Sequence, residues 1–270
     1  MQQKQLPGGG TIDAIGLGLW DFGGGEAPDY SRDQSDLAAI HNAIAIGYRH
    51  FDTAEYYASG HSEELLGRAL RDYKRSDFFV TTKVSPSHIR YDDLLAACAR
   101  SLKRLQTEYI DLYLIHWPSS TIPLNESMRA LNRLVAVGKV RHVGVSNFDL
   151  PLLQEAVRLC DTPLATNQVH YNLLHREYVQ NGVLPYCQEQ GILVTAYSPL
   201  LDGVLEHKTV QAIAGQHNAT GAQVALQWLI QQPQVITIPK SSKQLRQQEN
   251  WDAEGVTLSA EEIAQLDHLA

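Results

Sequence analysis

Residues 109–146 read YIDLYLIHWPSSTIPLNESMRALNRLVAVGKVRHVGVS, two strand-like runs on either side of one helix-like segment. The runs Tyr109–His116 and Val140–Ser146 are short and apolar, as buried strands are. Between them, Leu124–Val137 repeats apolar residues at helical spacing, and Gly138 follows as a C-terminal cap. Two strands joined through a helix pair in parallel by a right-handed crossover. The segment therefore predicts one β/α unit of a parallel sheet.

The same alternation runs along the whole chain without a change of character. The predicted strands are Ala14–Leu17, His50–Asp52, Phe78–Lys83, Tyr109–His116, Val140–Ser146, Ala165–Gln168, Leu193–Tyr197 and Val235–Pro239. The predicted helices are Asp33–Ile46, Ser62–Leu70, Tyr91–Leu105, Leu124–Val137, Leu150–Leu159, Val179–Gln190, Gly221–Gln231 and Gln244–Asn250. Gly47 and Gly191 are further C-terminal caps, and Ser62 is predicted to cap its helix through the side chain. The pattern predicts eight β/α units.

Eight such units can close into a barrel or spread into an open, doubly wound sheet. An open dinucleotide-binding sheet needs the pattern G-x-G-x-x-G, and Gly16 and Gly18 supply only its first half. The length of 270 residues suits one barrel, which needs about 250. We therefore predict an α/β fold of the (β/α)8 TIM-barrel class, with residues 1–270 as a single domain. Gln5–Thr11 is predicted to form a short N-terminal β-hairpin, and the last segment, SAEEIAQLDHLA, a C-terminal helix.

The composition limits the possible partners. A formal net charge of −8 argues against nucleic acid, because phosphate backbones select an excess of Lys and Arg on one face. The chain has no run of about 18 apolar residues, so no membrane association is expected, and MQQKQLPGGG lacks the apolar core of a signal peptide. Cys98, Cys160 and Cys187 form no C-x-x-C pair, and no metal site is predicted. We expect a cytoplasmic protein that does not need to oligomerise.

Polar residues cluster where the predicted strands end. The second strand ends at Asp52, the third at Lys83 and the fourth at His116, and Tyr57 follows the second strand. In a (β/α)8 barrel the chemistry sits at the C-terminal strand ends, which meet at one mouth. An isolated Asp–Lys pair or a single His at such a position is often structural. All four residue types at three consecutive strand ends indicate an active site.

Seven motifs in the chain resemble those of one enzyme family. They are, in order, GYRHFDTAEYY, VTTKV, YLIHWP, VRHVGVSNF, NQVHYN, AYSPL and IPKSSKQLRQQEN. Each motif alone is weak, but together they have the order and spacing of the aldo-keto reductase family, from about Gly16 to the end. The resemblance implies a barrel oxidoreductase that transfers a hydride from a nicotinamide to a carbonyl carbon.

The resemblance also implies a role for each of the four strand-end residues. Tyr57 would protonate the substrate oxygen, and its spacing from Asp52 selects it over Tyr56, which is expected to be a packing residue. A tyrosine with a pKa of about 10 is a poor acid near neutral pH, so an ammonium on Lys83 would bring it into a useful range. Asp52 would hold Lys83 in place, and a neutral His116 would orient the carbonyl oxygen.

NADPH or NADP is the cofactor that the resemblance implies. Lys240, Ser241 and Arg246 match the group that captures the 2′-phosphate of NADPH, a local basic cluster in an acidic protein. The other implied cofactor contacts are Ser146, Asn147, Gln168 and Tyr197 for the nicotinamide, Ser198 and Leu200 for the pyrophosphate, and Glu249 and Asn250 for the adenine. The segment LDGVLEHKTV after Leu200 departs from the commoner glycine-rich loop of the family.

Aromatic residues are expected around a small-molecule carbonyl substrate. Trp20 and Trp117 match family positions that line the substrate pocket together with His116, whereas Phe22 is equally compatible with the core. Larger family members carry a tail beyond the final helix that closes over the substrate, and this sequence ends at that helix. We therefore expect an open, weakly selective site for reactive aldehydes and activated ketones.

Two other functions are compatible with parts of the pattern. A class I aldolase is also a (β/α)8 barrel and would form a Schiff base on Lys83, but it needs an uncharged lysine and leaves Lys240 and Arg246 unexplained. An accessory or redox-sensing subunit would bind NADPH with little turnover, as ion-channel subunits of the family do. Turnover and covalent trapping distinguish both alternatives from a reductase.

Overall fold

An antiparallel hairpin precedes the barrel in the chain. The structure, a computed structural model, describes residues 1–269, and Ala270 lies outside the described residues. Strands β1 (Gln3–Gln5) and β2 (Thr11–Asp13) pair with each other, and the glycines at positions 8–10 all have positive φ between them. Glycine reaches this left-handed region without a steric penalty. The predicted hairpin is confirmed.

Eight further strands are parallel, and each one hydrogen-bonds to the next in chain order. They are β3 (Leu17–Gly18), β4 (His50–Asp52), β5 (Phe79–Val84), β6 (Ile110–Ile115), β7 (Val140–Ser146), β8 (Thr166–His170), β9 (Leu193–Tyr197) and β10 (Val235–Thr237). All eight predicted strands are present, with ends that shift by a few residues. The largest shift is in β3, which begins three residues after the predicted start at Ala14.

Backbone bridges between the first and last of these strands close the sheet into a barrel. Ile15 pairs with Thr237, and Gly18 pairs with Lys240, in isolated parallel bridges. The Gly16 amide donates to the Thr237 carbonyl at 2.9 Å. The (β/α)8 fold is confirmed, and Gly16 and Gly18 belong to the seam at which it closes.

Helices pack against the sheet and against each other. They are α1 (Asp33–Ile46), α2 (His61–Leu70), α3 (Tyr91–Leu105), α4 (Leu124–Ala136), α5 (Leu150–Leu159), α6 (Glu177–Gln180), α7 (Val183–Gln190), α8 (Lys208–Gln216), α9 (Gly221–Ile230), α10 (Gln244–Trp251) and α11 (Ala260–Asp267). The predicted helix Val179–Gln190 is divided into α6 and α7, because Gly182 has a φ of 86° between them. α8 begins inside LDGVLEHKTV, which was predicted to be a loop. The C-terminal helix is confirmed as α11.

The glycines predicted to cap helix C-termini are found there, but the predicted N-terminal cap of α2 is not. The predicted C-terminal caps all have positive φ: Gly47, Gly138 and Gly191. Ser62, predicted as the cap of α2, lies instead inside that helix, which begins at His61. Its buried hydroxyl donates to the Leu19 carbonyl at 3.2 Å and links the helix to the loop after β3. The prediction that Ser62 caps the helix was wrong.

The apolar residues form one core inside and around the barrel. This core extends from Leu6 in the hairpin loop to Leu266 in α11, and its burial is the main stabilising contribution to folding. Since the interior of such a barrel is packed with side chains, ligands bind at the mouth formed by the C-terminal strand ends. Among residues 1–269, no helix combines the length and the apolar character needed to cross a membrane.

Candidate active site

Three neighbouring strands deliver four polar side chains to one end of the barrel. β4 ends at Asp52, β5 carries Lys83 next to its last residue, and His116 directly follows β6. Tyr57 begins a 3₁₀ turn after β4. Because parallel strands bring their C-terminal ends to one face, the four residues predicted from the sequence lie together.

The Lys83 ammonium is fully buried and makes three hydrogen bonds. It donates to Asp52 Oδ1 at 2.5 Å, to the Thr53 carbonyl at 2.8 Å and to the Tyr57 hydroxyl at 3.2 Å. The second carboxylate oxygen of Asp52 accepts from Gln168 Nε2 at 2.8 Å. A buried charge is tolerated when it is paired and hydrogen-bonded, and both charges of this pair meet that condition.

Burial and charged neighbours together shift the pKa values of Lys83 and Tyr57. Burial lowers the pKa of Lys83, but Asp52 and Tyr57 outweigh that effect and raise the pKa above its ordinary value. Burial raises the pKa of Tyr57, and Lys83 opposes this rise without reversing it. The sequence predicted a lowered pKa for Tyr57; that net direction is wrong, although Lys83 acts in the predicted sense. Near neutral pH the site therefore holds an ammonium and a protonated phenol.

His116 lies beside Tyr57 as a neutral imidazole. The centroids of the two rings are 5.6 Å apart, and the ring planes meet at 74°. Burial, and after it the charge of Lys83, lowers the pKa of His116 to about 3. Its Nδ1 atom is buried and has no hydrogen-bond partner among residues 1–269. A neutral imidazole has one N–H donor and one acceptor nitrogen, and His116 lines the cavity described next.

Asp52, Tyr57 and His116 border a cavity of about 500 Å³ whose outer part is aromatic, and Lys83 lies buried behind Tyr57. Trp20 and Trp117 line it and are 44% and 47% exposed. The Trp20 ring meets the Tyr57 ring edge to face, with centroids 5.0 Å apart. Tyr56, predicted to be a packing residue, is instead 44% exposed and lines the same cavity. Phe22 is fully buried and belongs to the core.

Another part of the wall is formed by residues predicted to hold the cofactor. They are Ser146, Asn147, Gln168, Tyr197, Ser198 and Leu200. The Tyr197 hydroxyl donates to Asn147 Oδ1 at 2.9 Å, and Asn147 Nδ2 donates to Ser146 Oγ at 3.0 Å. The Tyr197 ring also stacks on His170, with centroids 5.4 Å apart. A ring held in this way offers a flat surface on which another planar ring can stack.

The predicted phosphate-binding cluster lies at and beyond one edge of the cavity. Lys240 lines the cavity, while the rest of the cluster is placed at α10 or just before it: Ser241, Arg246, Glu249 and Asn250. Arg246 is exposed, whereas the Ser241 hydroxyl is buried and donates to the Lys243 carbonyl at 3.3 Å. Lys240 Nζ lies 3.0 Å from Asp21 Oδ2, a pairing that was not predicted from the sequence.

The donor set fits a phosphorylated nicotinamide dinucleotide. Tyr197 supplies a flat ring, and Asn147 and Gln168 supply amide groups at the same cavity wall. Lys240 and Arg246 supply an ammonium and a guanidinium, the two side-chain cations that bind phosphate oxygens. His116 lines the same cavity and adds a polar imidazole to this wall.

The chain matches known enzymes over nearly its whole length. Residues 14–270 match the model of the Aldo/keto reductase family. The methylglyoxal reductase YeaE of Escherichia coli K12 is 39% identical over 276 residues, covering 99% of this chain and 95% of the relative. A thermostable aldo-keto reductase crystallised with the inhibitor epalrestat is 45% identical, with a TM-score of 0.96 and 99% of both chains covered. An aldo-keto reductase from Klebsiella pneumoniae solved with NADPH is 38% identical, with a TM-score of 0.87, covering 99% of this chain and 95% of that chain.

These matches agree with each other in fold and in enzyme class. The solved relatives share the barrel at 38% and 45% sequence identity. The protein is therefore a barrel oxidoreductase. It belongs to the aldo/keto reductase family, and the resemblance drawn from its seven motifs is confirmed.

Proposed function

We propose that the chain reduces reactive aldehydes and activated ketones to alcohols with NADPH, and that Tyr57 protonates the substrate oxygen. The proposal depends above all on the 3.2 Å hydrogen bond between Tyr57 and the buried Lys83 beside the cavity. The bound cofactor supplies the hydride that reduces the carbonyl carbon. The chain supplies the proton, the local charge and the position of the substrate.

Tyr57 is the proton donor in this proposal. Because burial raises its pKa, the phenol is protonated near neutral pH, which is the form that reduction needs. Loss of the proton leaves a phenolate, and the Lys83 ammonium 3.2 Å away stabilises that charge. Asp52 and Gln168 form the chain of hydrogen bonds that keeps the ammonium in place. Lys83 thus acts on the phenolate directly, and Asp52 acts through Lys83.

We assign His116 to the orientation of the substrate oxygen. Its pKa of about 3 keeps the imidazole neutral, so it can donate a hydrogen bond without competing with Tyr57 as the acid. The two rings lie 5.6 Å apart, centroid to centroid, and both line the cavity. A carbonyl oxygen lying between them accepts a hydrogen bond from each, which favours the developing negative charge.

The predicted cofactor, NADPH or NADP, is confirmed at the level of the family, since a solved relative carries NADPH. On this chain we assign the nicotinamide to Ser146, Asn147, Gln168 and Tyr197, the pyrophosphate to Ser198 and Leu200, the 2′-phosphate to Lys240, Ser241 and Arg246, and the adenine to Glu249 and Asn250. The cations of the 2′-phosphate group favour NADPH over NADH, because only NADPH carries that dianion. The Ser241 hydroxyl, now directed at the Lys243 backbone, must rotate to reach a phosphate.

The substrate proposal follows from the shape and chemistry of the cavity mouth. Trp20 and Trp117 are about half exposed, so they form an open, uncharged aromatic entrance. Such a wall suits small carbonyl compounds, and methylglyoxal, the substrate named for the Escherichia coli relative, is a small activated one. A net charge of −8 keeps nucleic acid an unsuitable partner.

The Schiff-base alternative fits the site less well. An amine attacks a carbonyl in its uncharged form, whereas Asp52 and Tyr57 raise the pKa of Lys83. Three hydrogen bonds also occupy the Lys83 ammonium. Borohydride treatment in the presence of substrate should therefore leave Lys83 without a stable adduct.

Steady-state reduction of methylglyoxal and of an aromatic aldehyde tests the proposal, with Tyr57→Phe compared with Tyr56→Phe. We expect Tyr57→Phe to lower kcat by about 10²–10⁴-fold, the range of a general acid, with NADPH binding unchanged. Tyr56 lines the same cavity but bonds to Glu26, so Tyr56→Phe should keep most of the activity. Full activity in Tyr57→Phe contradicts the assignment of the acid. A native chain that binds NADPH and reduces no carbonyl supports the accessory or redox-sensing subunit instead.

A further inference from the structure

Two histidines and one aspartate meet beside the mouth of the barrel, outside the group that the proposed reaction uses. His170 is the last residue of β8, His175 follows in the next loop, and Asp202 lies in the loop after β9. One ligand atom from each of the three lies within 4.8 Å of the other two. His170 Nε2 is 2.9 Å from Asp202 Oδ2, and the two imidazoles stack with centroids 3.8 Å apart.

The buried side chain of Asn172 connects the two loops that carry His175 and Asp202. It is fully buried, and its Nδ2 donates to Asp202 Oδ2 at 2.8 Å and to the Ser198 carbonyl at 3.1 Å. Its Oδ1 accepts from the backbone amides of Leu174 and His175, both at 2.8 Å. A buried amide that orients two ligand-bearing loops is the kind of outer-shell support that metal sites have.

We propose that His170, His175 and Asp202 bind a divalent transition-metal ion of the Zn²⁺ type. Two imidazoles and one carboxylate are the donor set of zinc sites that leave a fourth position to water. Zn²⁺ lies about 2.0–2.2 Å from such atoms, so its ligand atoms are roughly 3.3 Å apart. The three ligand atoms lie within 4.8 Å of one another, so binding requires the side chains to close in to that distance. Mg²⁺ and Ca²⁺ prefer oxygen ligands, so a site with two imidazole nitrogens suits them poorly.

The cluster differs from the other histidine–carboxylate contacts of the chain. Among the residues that the structure describes, no other set of three His, Cys, Asp or Glu side chains brings its ligand atoms together in this way. For example, His217 Nε2 lies 2.7 Å from Glu262 Oε1, but these two residues form only a pair. The close approach of three ligand atoms is therefore what distinguishes His170, His175 and Asp202 within the described residues.

A metal ion here connects two loops of the barrel mouth. His170 is paired with Tyr197 in the β8–β9 register, and their rings stack. Asp202 follows the Ser198–Leu200 segment that lines the cavity. The ion therefore ties the loops after β8 and β9 to each other next to the active-site cavity. The metal site itself does not depend on the proposed reductase activity.

Calorimetric titration of the tag-free, chelator-treated chain with Zn²⁺ tests the site. We expect one ion per chain in the wild type and affinity lowered about tenfold or more in His175→Ala. His217→Ala is the matched control, because it removes a half-buried histidine from a carboxylate pair and should leave the titration unchanged. Equal Zn²⁺ binding by wild type and His175→Ala overturns the proposal, as does a wild type without stoichiometric binding.

A spectroscopic readout separates loss of the ligand from loss of the fold. Co²⁺ in a site with two imidazoles and one carboxylate should give visible absorption bands in the wild type and in His217→Ala. His170→Gln and His175→Ala should lack those bands while their circular dichroism matches that of the wild type. Bands that persist in both variants place the ion elsewhere and overturn the assignment. Zn²⁺ should also raise the Tm of the wild type and of His217→Ala, but not that of His170→Gln or His175→Ala, because an ion that binds the folded chain stabilises it.

Discussion

Asp21 and Lys240 form an ion pair at the edge of the cavity, with Asp21 Oδ2 3.0 Å from Lys240 Nζ. The other oxygen of Asp21 is 3.0 Å from the Arg32 guanidinium. Burial alone raises the pKa of Asp21, but hydrogen bonds from Arg32 and Lys240 lower it overall. The carboxylate is therefore ionised at neutral pH. It pairs with the ammonium of Lys240, which we assign to the 2′-phosphate of NADPH.

Replacing this carboxylate should strengthen NADPH binding. In Asp21→Asn the ammonium of Lys240 loses its competing anion, and the 2′-phosphate meets one negative charge fewer. An exposed pair of this kind is worth ~0.2–1 kcal/mol, so we expect the Kd for NADPH to fall by up to about fivefold. The Kd for NADH, which lacks the 2′-phosphate, should hardly change. Fluorescence titrations with both cofactors measure the difference.

Asp161→Asn is the control for a general effect of net charge. Asp161 is exposed and precedes β8, so it lies toward the opposite end of the barrel from Lys240. This variant should bind NADPH like the wild type. If Asp21→Asn and Asp161→Asn shift the Kd equally, the ion pair has no specific effect on the cofactor.

The pH dependence of the reaction should differ between its two directions. Burial raises the pKa of Tyr57, so the acid form persists to higher pH than for an ordinary tyrosine. For reduction, kcat/KM should stay flat through neutral pH and fall only above about pH 10. Alcohol oxidation needs the phenolate. Its rate should therefore rise by up to about tenfold per pH unit as the pH increases from neutral toward the pKa of Tyr57.

His116 allows a second check of the same profiles. Its pKa of about 3 leaves the imidazole neutral over the accessible range, so neither direction should show an inflection near pH 6.5. Initial rates between pH 5.5 and 10.5, with enzyme stability verified at each pH, measure both curves. A loss of reductase activity between pH 6 and 7 would assign the acid to a histidine instead of Tyr57.

The repeating elements were predictable from local sequence, and the exceptions have local causes. Buried parallel strands are short apolar runs, and the helices between them carry an apolar face, so periodicity finds both. No helix is predicted at α8 from the sequence, because LDGVLEHKTV matches the position of a loop in the family. A signal was present: Val210, Ile213 and Ala214 have helical spacing and are buried, and the His207 side chain caps the helix by accepting from the Thr209 amide.

The candidate site was predictable where it lies on strand ends and not where it depends on distant pairs. Asp52 and Lys83 lie at or next to the C-terminal ends of neighbouring strands, so topology alone brings them together. The pair of Asp21 and Lys240 joins positions 219 residues apart across the barrel seam, and neither residue has a local pattern that indicates the other. The net pKa shift of Tyr57 depends on how deeply the ring is buried, which the sequence does not give.

The buried pair of Lys83 and Asp52 should be needed for activity more than for folding. Removing one partner leaves a buried charge alone, so Lys83→Met should lower the free energy of unfolding by about 3–5 kcal/mol. Adding Asp52→Leu removes the second charge, and most of that loss should return because apolar groups of similar size often replace a buried pair. Both variants should lack reductase activity, since the charge beside Tyr57 is gone.

Urea unfolding of the wild type, both single variants and the double variant measures this coupling. The hydrogen bond from Gln168 to Asp52 is lost in Asp52→Leu, so the recovery should be incomplete. A double variant that is less stable than either single variant would show that the pair stabilises the fold itself. Reductase activity in the double variant would contradict the role assigned to Lys83.

Gly18 should be intolerant of any side chain, because it lies at the seam where the barrel closes. A Cβ atom at this position would be 2.6 Å from the Ile238 carbonyl oxygen, a backbone atom that cannot move aside alone. The strands on either side must then separate, and we expect Gly18→Ala to lower the free energy of unfolding by about 1–3 kcal/mol. Gly215→Ala in α8 is the control, since a Cβ there meets nothing within 4 Å and alanine in a helix stabilises by roughly 0.5–1 kcal/mol. If the seam is packed as described, urea denaturation should show a lower free energy of unfolding for Gly18→Ala and a higher one for Gly215→Ala. A Gly18→Ala chain as stable as the wild type contradicts that packing.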